Sequence, residues 1–474
     1  MSFDSITFLF LFLPAVIILY FMAEALTALT GRLRMGRNTV LLIASLFFYA
    51  WGEPLYVLLL IASSMLAWGG GMLMHRWRGQ RRGRIVMSAT ITLLIASLGV
   101  FKYLGFFIDT LNAVPCIQIP LTDLRLPIGI SFFTFQILSY VIDLHRGTVS
   151  LQRNPLRLLL YVSLFPQLIA GPIVRYQTVE RELTSRRFSA TDVYEGTLRF
   201  IRGLAKKILI ADNVARFSDA VYGVHTGCWF DPTIYDSVGT TALWVASLAY
   251  TMQIYFDFSG YSDMAIGLGR VFGFHFLENF NFPYVSRSIT EFWRRWHISL
   301  SGWFRDYVYI PLGGNRRGLN RQLLNIMIVW ALTGLWHGAS WNFVLWGMYY
   351  GVLLLIEKAW KRRPGWLLTF IIVNLGWVLF HITNFVELGC VLRRMFWWHP
   401  TDWLRLMATN SEVMLALPYL PIAFLFCFPL FTPVVESRRV SLRVLRTAVA
   451  VLALLLCYVY IVSSSFHPFI YFRF

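Results

Sequence analysis

Residues 39–74 read TVLLIASLFFYAWGEPLYVLLLIASSMLAWGGGMLM, an apolar run with one acidic residue and no Lys or Arg. A helix needs about 20 apolar residues to cross a bilayer, so this run is long enough to cross it nearly twice. Gly52, Glu53 and Pro54 interrupt the run near its middle. Because Pro removes a helical hydrogen bond, the stretch predicts two membrane helices joined as a hairpin.

Arginines cluster at both ends of this hairpin. They are Arg32, Arg34 and Arg37 before it, and Arg76, Arg78, Arg81, Arg82 and Arg84 after it. Basic residues concentrate in cytoplasmic loops, so both ends of the hairpin are predicted to be cytoplasmic. The same rule predicts a cytoplasmic location for the basic stretch 175–207. It predicts an extracytoplasmic location for the N-terminus and for the loop 223–237, which has Asp but no Lys or Arg.

The whole chain has the composition of a multi-pass membrane protein. Of its 474 residues, 57% are hydrophobic and 14% are charged, against about 25% charged in an ordinary globular chain. Further apolar runs lie at 6–29, 85–108, 127–143, 155–173, 204–222, 238–273, 322–336, 341–357, 366–386, 412–435 and 444–465. This composition excludes a soluble multidomain chain, a disordered chain, a secreted disulfide scaffold and a nucleic-acid-binding protein.

The predicted fold is an all-α membrane bundle of roughly 10–12 helices, forming a single domain over residues 1–474. Breaks at Phe165-Pro166-Gln167 and at Gly171-Pro172 predict a re-entrant segment. A membrane tolerates such backbone only where protein or a water-filled cavity surrounds it. The net charge of +18 is assigned mainly to basic loops facing anionic lipid.

The segment 275–321 is the least membrane-like part of the second half of the chain. Ser288 and Glu291 have the spacing of a capping box, which predicts a helix start. In a continuous helix from there, one stripe holds Ile289, Trp293, Trp296, Leu300, Trp303, Phe304 and Tyr307, and the opposite face holds Arg294, Arg295, Ser301 and Arg305. Tryptophan on one side and arginine on the other predict a helix lying along the membrane interface.

Two histidines are candidates for chemistry. His297 falls at the edge of the tryptophan stripe, and alone it fits an interfacial histidine that uses only its polar tip. His337 follows the apolar run 322–336, at membrane depth, where an ionisable residue is costly and is a functional candidate. The alternative for His337 is a hydrogen bond between helices. Gly334 and Gly338 permit close backbone approach, either to a ligand or to another helix.

Imidazole exchanges its proton near neutral pH, so two such residues suit general acid–base chemistry. The sequence motifs of several other reaction types are absent. The chain has no H-E-x-x-H, no metal-ligand spacing of His, Cys and carboxylates, no G-x-S-x-G and no G-x-x-x-x-G-K-[ST]. A metal site, a serine hydrolase of that type and an ATP-driven pump are therefore not expected.

Two motifs resemble the membrane-bound O-acyltransferase family. They are EFWRRWHISLSGWFRDYVYIPLGGN at 291–315 and TGLWHGASWNFVLWG at 333–347. FLFLFLP at 8–14, GISFFTFQ at 129–136, QIYFDFSGYSD at 253–263 and FIYFRF at 469–474 resemble one branch, the membrane component of bacterial alginate and cellulose O-acetylation systems. The resemblance covers nearly the whole chain. It implies that His337 is the catalytic histidine and that His297 is the second active-site residue.

The resemblance also implies a reaction. Acetyl-CoA is the expected donor, with no permanently bound cofactor, and its phosphates are expected to meet Arg294, Arg295 and Arg305. His337 would act as general base on an acceptor hydroxyl, while His297 positions that hydroxyl or stabilises the oxyanion. The acyl group would cross the bacterial inner membrane. A separate extracytoplasmic serine-type acetyltransferase, working with a polysaccharide synthase and export complex, would complete the transfer.

Other functions remain open. A relative in the same family could move D-alanine or another acyl group from a carrier protein. A non-catalytic transporter or scaffold of a polysaccharide export complex would also use broken helices. Acylation of a lipid or sterol fits these motifs less well. The sequence leaves the polymer open among alginate, cellulose, another exopolysaccharide and peptidoglycan.

Overall fold

A computed structural model describes residues 1–30, 36–115, 117–120, 124–186, 189–223, 238–360, 362–432 and 439–463. These residues are mostly helical and contain no β-strand. The prediction of an all-α, multi-pass membrane protein with broken helices is confirmed. Most of the predicted extracytoplasmic loop, at 224–237, and the motif at 469–474 lie outside the described residues.

The chain folds into two compact units, one made of Met1–Phe200 and Tyr261–Glu278, the other of Ile201–Gly260 and Asn279–Phe474. The single-domain assignment to 1–474 stays a prediction. The helices up to residue 222 are α1 (Leu13–Thr30), α2 (Gly36–Gly52), α3 (Tyr56–Arg76), α4 (Arg81–Leu98), α5 (Leu104–Asn112), α6 (Ile130–Arg146), α7 (Pro155–Ser163), α8 (Phe165–Leu168), α9 (Tyr176–Thr184), α10 (Ala190–Ala205) and α11 (Asp212–Tyr222).

The remaining helices are α12 (Thr240–Val271), α13 (Ile289–Arg295), α14 (Ile298–Phe304), α15 (Leu319–His337), α16 (Trp341–Trp360), α17 (Trp366–His381), α18 (Phe385–Phe396), α19 (Trp403–Thr409), α20 (Ser411–Ala416), α21 (Tyr419–Phe426) and α22 (Val440–Ser463). Short π-helical segments at Phe8–Phe12, Gly99–Tyr103, Lys206–Ala211 and Arg305–Tyr309 adjoin α-helices.

In the first unit, the predicted break of the run 39–74 into two helices is confirmed, and their arrangement as a membrane hairpin stays a prediction. Helix α2 ends at Gly52 and α3 begins at Tyr56, so the Gly-Glu-Pro sequence forms the turn. The break predicted near Pro166 is also confirmed, because α7 ends at Ser163 and only the four-residue α8 follows. Residues 158–174 are all buried. This burial meets the requirement that irregular backbone at membrane depth be surrounded by protein.

Five helices in the described part of the chain are long and apolar enough to cross a bilayer individually. They are Phe8–Thr27, Tyr56–Arg76, Arg81–Asn112, Trp341–Trp360 and Val440–Ser463. Other predicted runs form shorter, less apolar or broken helices. The run 412–435, for example, is divided between α20 and α21. The remaining expected helices therefore do not combine the length and the apolarity of a single straight span.

In the second unit, α15 and α16 pack closely because glycines face each other. A Cβ atom on Gly334 would lie 2.2 Å from the Phe343 carbonyl oxygen, and one on Gly347 would lie 2.3 Å from that of Trp330. A Cβ on Gly338 would lie 2.2 Å from the Phe343 ring. The glycines beside His337 therefore serve helix packing, one of the two roles left open by the sequence.

Candidate active site

His297 lies at a break between two short helices. Helix α13 ends at Arg295 and α14 begins at Ile298, and His297 has φ 44° and ψ 54°, in the left-handed region. The continuous helix predicted from Ser288 is therefore wrong here. A left-handed conformation costs a non-glycine residue about 1–2 kcal/mol. Such strain persists where surrounding contacts enforce it, and functional sites are common examples.

Side chains near α13 and from α16 hydrogen-bond the backbone at the start of α13. Ser288 accepts the Glu291 N–H at 3.1 Å, as predicted. The Glu291 carboxylate accepts the N–H of Arg287 rather than that of Ser288, so the capping box is only half formed. Glu357 of α16 accepts the Ile289 N–H at 2.6 Å. This carboxylate at a helix N-terminus ties α13 to α16.

The segment 279–281 runs alongside the break and bonds to its backbone. The Ile298 N–H donates to the Asn279 carbonyl oxygen at 2.9 Å, and the Asn281 N–H donates to the Arg295 carbonyl oxygen at 2.9 Å. These two bonds satisfy groups that a continuous helix would have paired internally. The left-handed residue is thus enforced by a neighbouring segment of the same unit.

Asn279 determines which nitrogen of His297 carries a proton. Its side-chain oxygen accepts the Ser299 N–H at 3.2 Å, and only the oxygen of an amide can accept. His297 Nδ1 lies 3.2 Å from the same oxygen, so Nδ1 is the donor. The Nε2 atom is then a proton acceptor. It has no hydrogen-bond partner within the described ranges.

Burial keeps His297 neutral. Its side chain is 1% exposed, and the Phe258 ring lies 4.7 Å away at 85°. Burial lowers the pKa of His297 to about 3, because the imidazolium would lose its hydration. At neutral pH this residue therefore presents an uncharged ring with an acceptor nitrogen.

His337 has a different environment. It is the last residue of α15 and is 4% exposed. Its ring lies 5.0 Å from Trp346 and 5.3 Å from Phe380, both at 83°. The unpaired carbonyls at a helix C-terminus favour a cation, by about 0.3–1 kcal/mol at exposed sites and more when partly buried. His337 therefore lies at the negative end of the α15 dipole, in a buried aromatic setting.

Trp336 links the two histidines. Its ring centroid lies 5.8 Å from that of His297 and 4.9 Å from that of His337. Both histidines belong to the second unit, although 40 positions separate them in sequence. The structure thus brings the two predicted residues to one aromatic cluster.

The tryptophan stripe faces protein. Trp293, Trp296 and Trp303 are 8%, 1% and 5% exposed. The Trp293 ring lies 4.7 Å from Trp330, and the Trp296 ring lies 4.7 Å from Trp377. The two-sided pattern is confirmed. The tryptophans, however, anchor α13 and α14 in the core of the second unit and do not form a membrane-facing belt.

The three arginines expected to meet acyl-donor phosphates have different environments. Arg295 bonds Glu291 at 3.0 Å, and Arg305 bonds Asp306 at 2.8 Å. The Arg287 N–H, followed by Arg295, holds the pKa of Glu291 below its usual value, which keeps that pair ionised. Arg294 is exposed and has no side-chain hydrogen bond or ion pair with the described residues. Their phosphate-binding role stays a prediction.

Sequence patterns did not single out the buried polar residues around the histidines. Asn279 is fully buried, but it lies 18 positions before His297 and outside any helix. Lys207 and Asp257 form a buried ion pair at 2.8 Å, and Asp212 also bonds Lys207 at 2.7 Å. Asp257 precedes Phe258, the ring beside His297. This pair anchors α12 to the π-helical segment Lys206–Ala211.

The structure thus combines a helical membrane protein with two buried histidines, one with an acceptor nitrogen and one at a helix C-terminus. Comparison with known proteins identifies the family. Residues 150–385 match the membrane-bound O-acyltransferase family, and both histidines lie inside the match.

The chain is 37% identical over 518 residues to a Pseudomonas putida protein named probable alginate O-acetylase AlgI, covering 100% of both chains. It is 31% identical to a Helicobacter pylori peptidoglycan O-acetyltransferase over 100% of this chain and 97% of the relative. A Bacillus subtilis teichoic acid D-alanyltransferase is 30% identical over 51% of this chain and 62% of its own length.

The chain belongs to the membrane-bound O-acyltransferase family. It is therefore an O-acyltransferase embedded in a membrane, as the motifs around His297 and His337 predicted.

Proposed function

We propose that this O-acyltransferase takes an acetyl group from cytoplasmic acetyl-CoA and passes it across the bacterial inner membrane for O-acetylation of an exported polysaccharide. The observation that carries the proposal is the meeting of His297 and His337 at Trp336. The names of the full-length relatives support acetyl as the acyl group and a cell-surface polymer as its destination.

In the proposed reaction, His337 is the general base. It removes the proton of an acceptor hydroxyl as the hydroxyl oxygen attacks the thioester carbonyl carbon. A new C–O bond forms, the C–S bond breaks, and the proton passes from His337 to the departing thiolate of CoA. Its position at the C-terminus of α15 supports this role, because the helix dipole stabilises a transient imidazolium. A positioned base contributes roughly 10²–10⁴-fold in rate.

His297 is proposed to orient a substrate. An oxyanion needs a hydrogen-bond donor, and the Nε2 of the Nδ1–H tautomer can only accept. Of the two roles inferred from the sequence, the tautomer therefore favours positioning over oxyanion stabilisation. Nε2 would hold an O–H or N–H group of the donor or the acceptor near Trp336.

We further propose that Arg294, which has the least engaged guanidinium of the three, makes the first contact with the CoA phosphates. Arg295 and Arg305 would contribute by exchanging Glu291 and Asp306 for phosphate oxygens. No resident cofactor is required. A separate extracytoplasmic serine-type acetyltransferase and a polysaccharide synthase complex would complete the pathway. The N-terminus is proposed to be extracytoplasmic.

The donor can be tested with the purified full-length chain in lipid vesicles. Acetyl-CoA labelled in its acetyl group is supplied in one arm, and an acyl-charged carrier protein is supplied in the other. A hydroxyl-bearing acceptor is supplied in both arms. We expect acetyl-CoA-dependent release of free CoA with acetylation of that acceptor, abolished in His337→Ala and preserved in His399→Ala, a histidine outside the site. Turnover from the carrier protein alone would overturn the acetyl-CoA assignment and favour D-alanyl-type chemistry.

A further inference from the structure

A pocket of about 530 Å³ lies entirely within the first unit, at neighbouring ends of α3, α4 and α6. Residues 74–75, 77–80, 83–84, 144–145, 147 and 149–151 line it. Ligand pockets typically measure about 300–1,000 Å³, so the volume suits a small molecule or a lipid headgroup. Neither His297 nor His337 belongs to this unit.

The pocket is lined by basic side chains and no acidic ones. The basic residues are His75, Arg78, Arg84 and His145. None of these four side chains has a hydrogen bond or ion pair within the part of the chain that the structure describes. Their donors are therefore available to a ligand, and the missing carboxylates make that ligand an anion.

Two carboxylates near the pocket already have partners. Asp143 lies 4.0 Å from Arg146, and Glu180 accepts the Ser150 N–H at 2.9 Å. Neither carboxylate belongs to the residues that line the pocket. Through Ser150, which lines the pocket, Glu180 lies near the rim, but the lining itself carries no carboxylate.

The backbone around the pocket favours an anion as well. Arg78 reaches over Gly147, where a Cβ atom would lie 2.9 Å from its guanidinium nitrogen. Helix α4 begins beside the pocket, and Gln80, its N-cap residue, makes no side-chain cap. The first backbone N–H groups of α4, at the positive end of the helix dipole, therefore add to the basic side chains.

The membrane setting indicates which anion is available. Helix α3 and the helical stretch that begins with α4 are two of the five candidate spans, so their ends lie near the level of lipid headgroups. Trp77 lines the pocket, and tryptophan is enriched at that level. Leu73 and Ile85, close in sequence to the pocket on α3 and α4, are 42% and 57% exposed. Exposed apolar side chains of this kind can contact acyl chains.

We propose that this pocket binds the phosphate of an anionic phospholipid. Arg78 and Arg84 pair with the phosphate oxygens, and His75 and His145 donate hydrogen bonds to the headgroup. The acyl chains lie along the apolar faces of α3 and α4. The pocket thereby makes the first unit selective for anionic phospholipids.

The test uses the full-length chain in detergent, stripped of lipid and titrated with phosphatidylglycerol, phosphatidylcholine or inorganic phosphate. Native mass spectrometry counts bound lipid, and the midpoint of thermal unfolding reports stabilisation. The pocket variant is Arg78→Gln with Arg84→Gln. The matched control is Arg81→Gln with Arg82→Gln, which removes two arginines of the same helix turn that do not line the pocket.

We expect wild type and control to bind phosphatidylglycerol equally. The pocket variant should bind roughly 30-fold more weakly, because it alone loses two direct ion pairs with the phosphate. Equal lipid-free unfolding midpoints show that all three proteins are folded. Equal weakening in both double variants would overturn the pocket in favour of diffuse surface attraction. Stabilisation by inorganic phosphate as large as that by phosphatidylglycerol would overturn the lipid assignment.

Discussion

His297 and His337 carry the same imidazole in two different settings, and these settings support the different roles proposed for them. His297 donates from Nδ1 to Asn279 and is kept neutral by burial. His337 ends a long helix whose dipole favours a cation. Pairs of titratable groups with opposed environments are a recurring arrangement for assigning acid and base functions.

The tautomer of His297 is expected to depend on Asn279. Asn279→Leu removes the acceptor that the Nδ1–H of the buried His297 shares with the Ser299 N–H, and the loss of a buried hydrogen-bond partner costs about 1–3 kcal/mol. We expect kcat to fall about tenfold or more, since each 1.4 kcal/mol is tenfold in rate. Asn281→Leu is the matched control, because Asn281 contacts the break through its backbone. That variant should retain activity within about twofold.

The Asn279→Asp variant tests whether Asn279 positions His297 or only supports the local fold. A carboxylate beside Nδ1–H raises the pKa of His297 from about 3 toward its ordinary value. The imidazolium then forms at higher pH, so kcat should begin to fall at a higher pH than in wild type. An Asn279→Asp profile that coincides with wild type would contradict the tautomer assignment.

Sequence reasoning found the two histidines but not their partners. The sequence shows an ionisable residue, His337, directly after an apolar run. The resemblance of the surrounding motif to the family strengthened its assignment to the site. Asn279 lies in an irregular segment, where no periodicity connects it to His297. Its role depends on the backbone bonds of Ile298 and Ser299, which exist only once the chain is folded.

Two features of the helices position the site. They are the break between α13 and α14 and the contact of α15 with α16. The tryptophan stripe continues across His297, so its periodicity predicted one helix. Periodicity cannot reveal a single left-handed residue. The turn at Gly52-Glu53-Pro54 was predictable because its residues are themselves helix breakers.

The α15–α16 contact depends on glycine. Gly347→Ala adds a Cβ that would lie 2.3 Å from the Trp330 carbonyl oxygen, so the helices must separate. We expect a destabilisation of about 1–3 kcal/mol, as for other overpacked sites, with reduced activity because His337 ends α15. The midpoint of thermal unfolding in detergent, measured alongside turnover, tests this.

Gly351→Ala on the same helix is the matched control. Its Cβ would meet the flexible Met327 side chain, at 2.9 Å from Sδ, and that side chain can move. A loss at Gly347 no larger than the loss at Gly351 would show that close backbone packing does not hold α15 in place.

At the scale of the whole molecule, composition predicted a helical membrane protein because charged residues are too few to cover a soluble fold. Some apolar runs, such as 155–173, are buried mostly by protein, whereas others form helices long and apolar enough to cross a bilayer. Hydropathy measures how apolar a segment is and does not distinguish these two surroundings. The pocket between α3, α4 and α6 likewise depends on residues far apart in sequence.

The most direct measurement is polymer O-acetylation in cells whose only copy of this protein carries His337→Ala, with membrane level and complex assembly checked by immunoblot and co-purification. We predict that acetylation rates fall by at least about 10²-fold. His381→Ala, which alters another histidine that ends a helix, should leave most acetylation intact. Full acetylation by a correctly assembled His337→Ala protein would contradict the catalytic role and favour a transporter or scaffold.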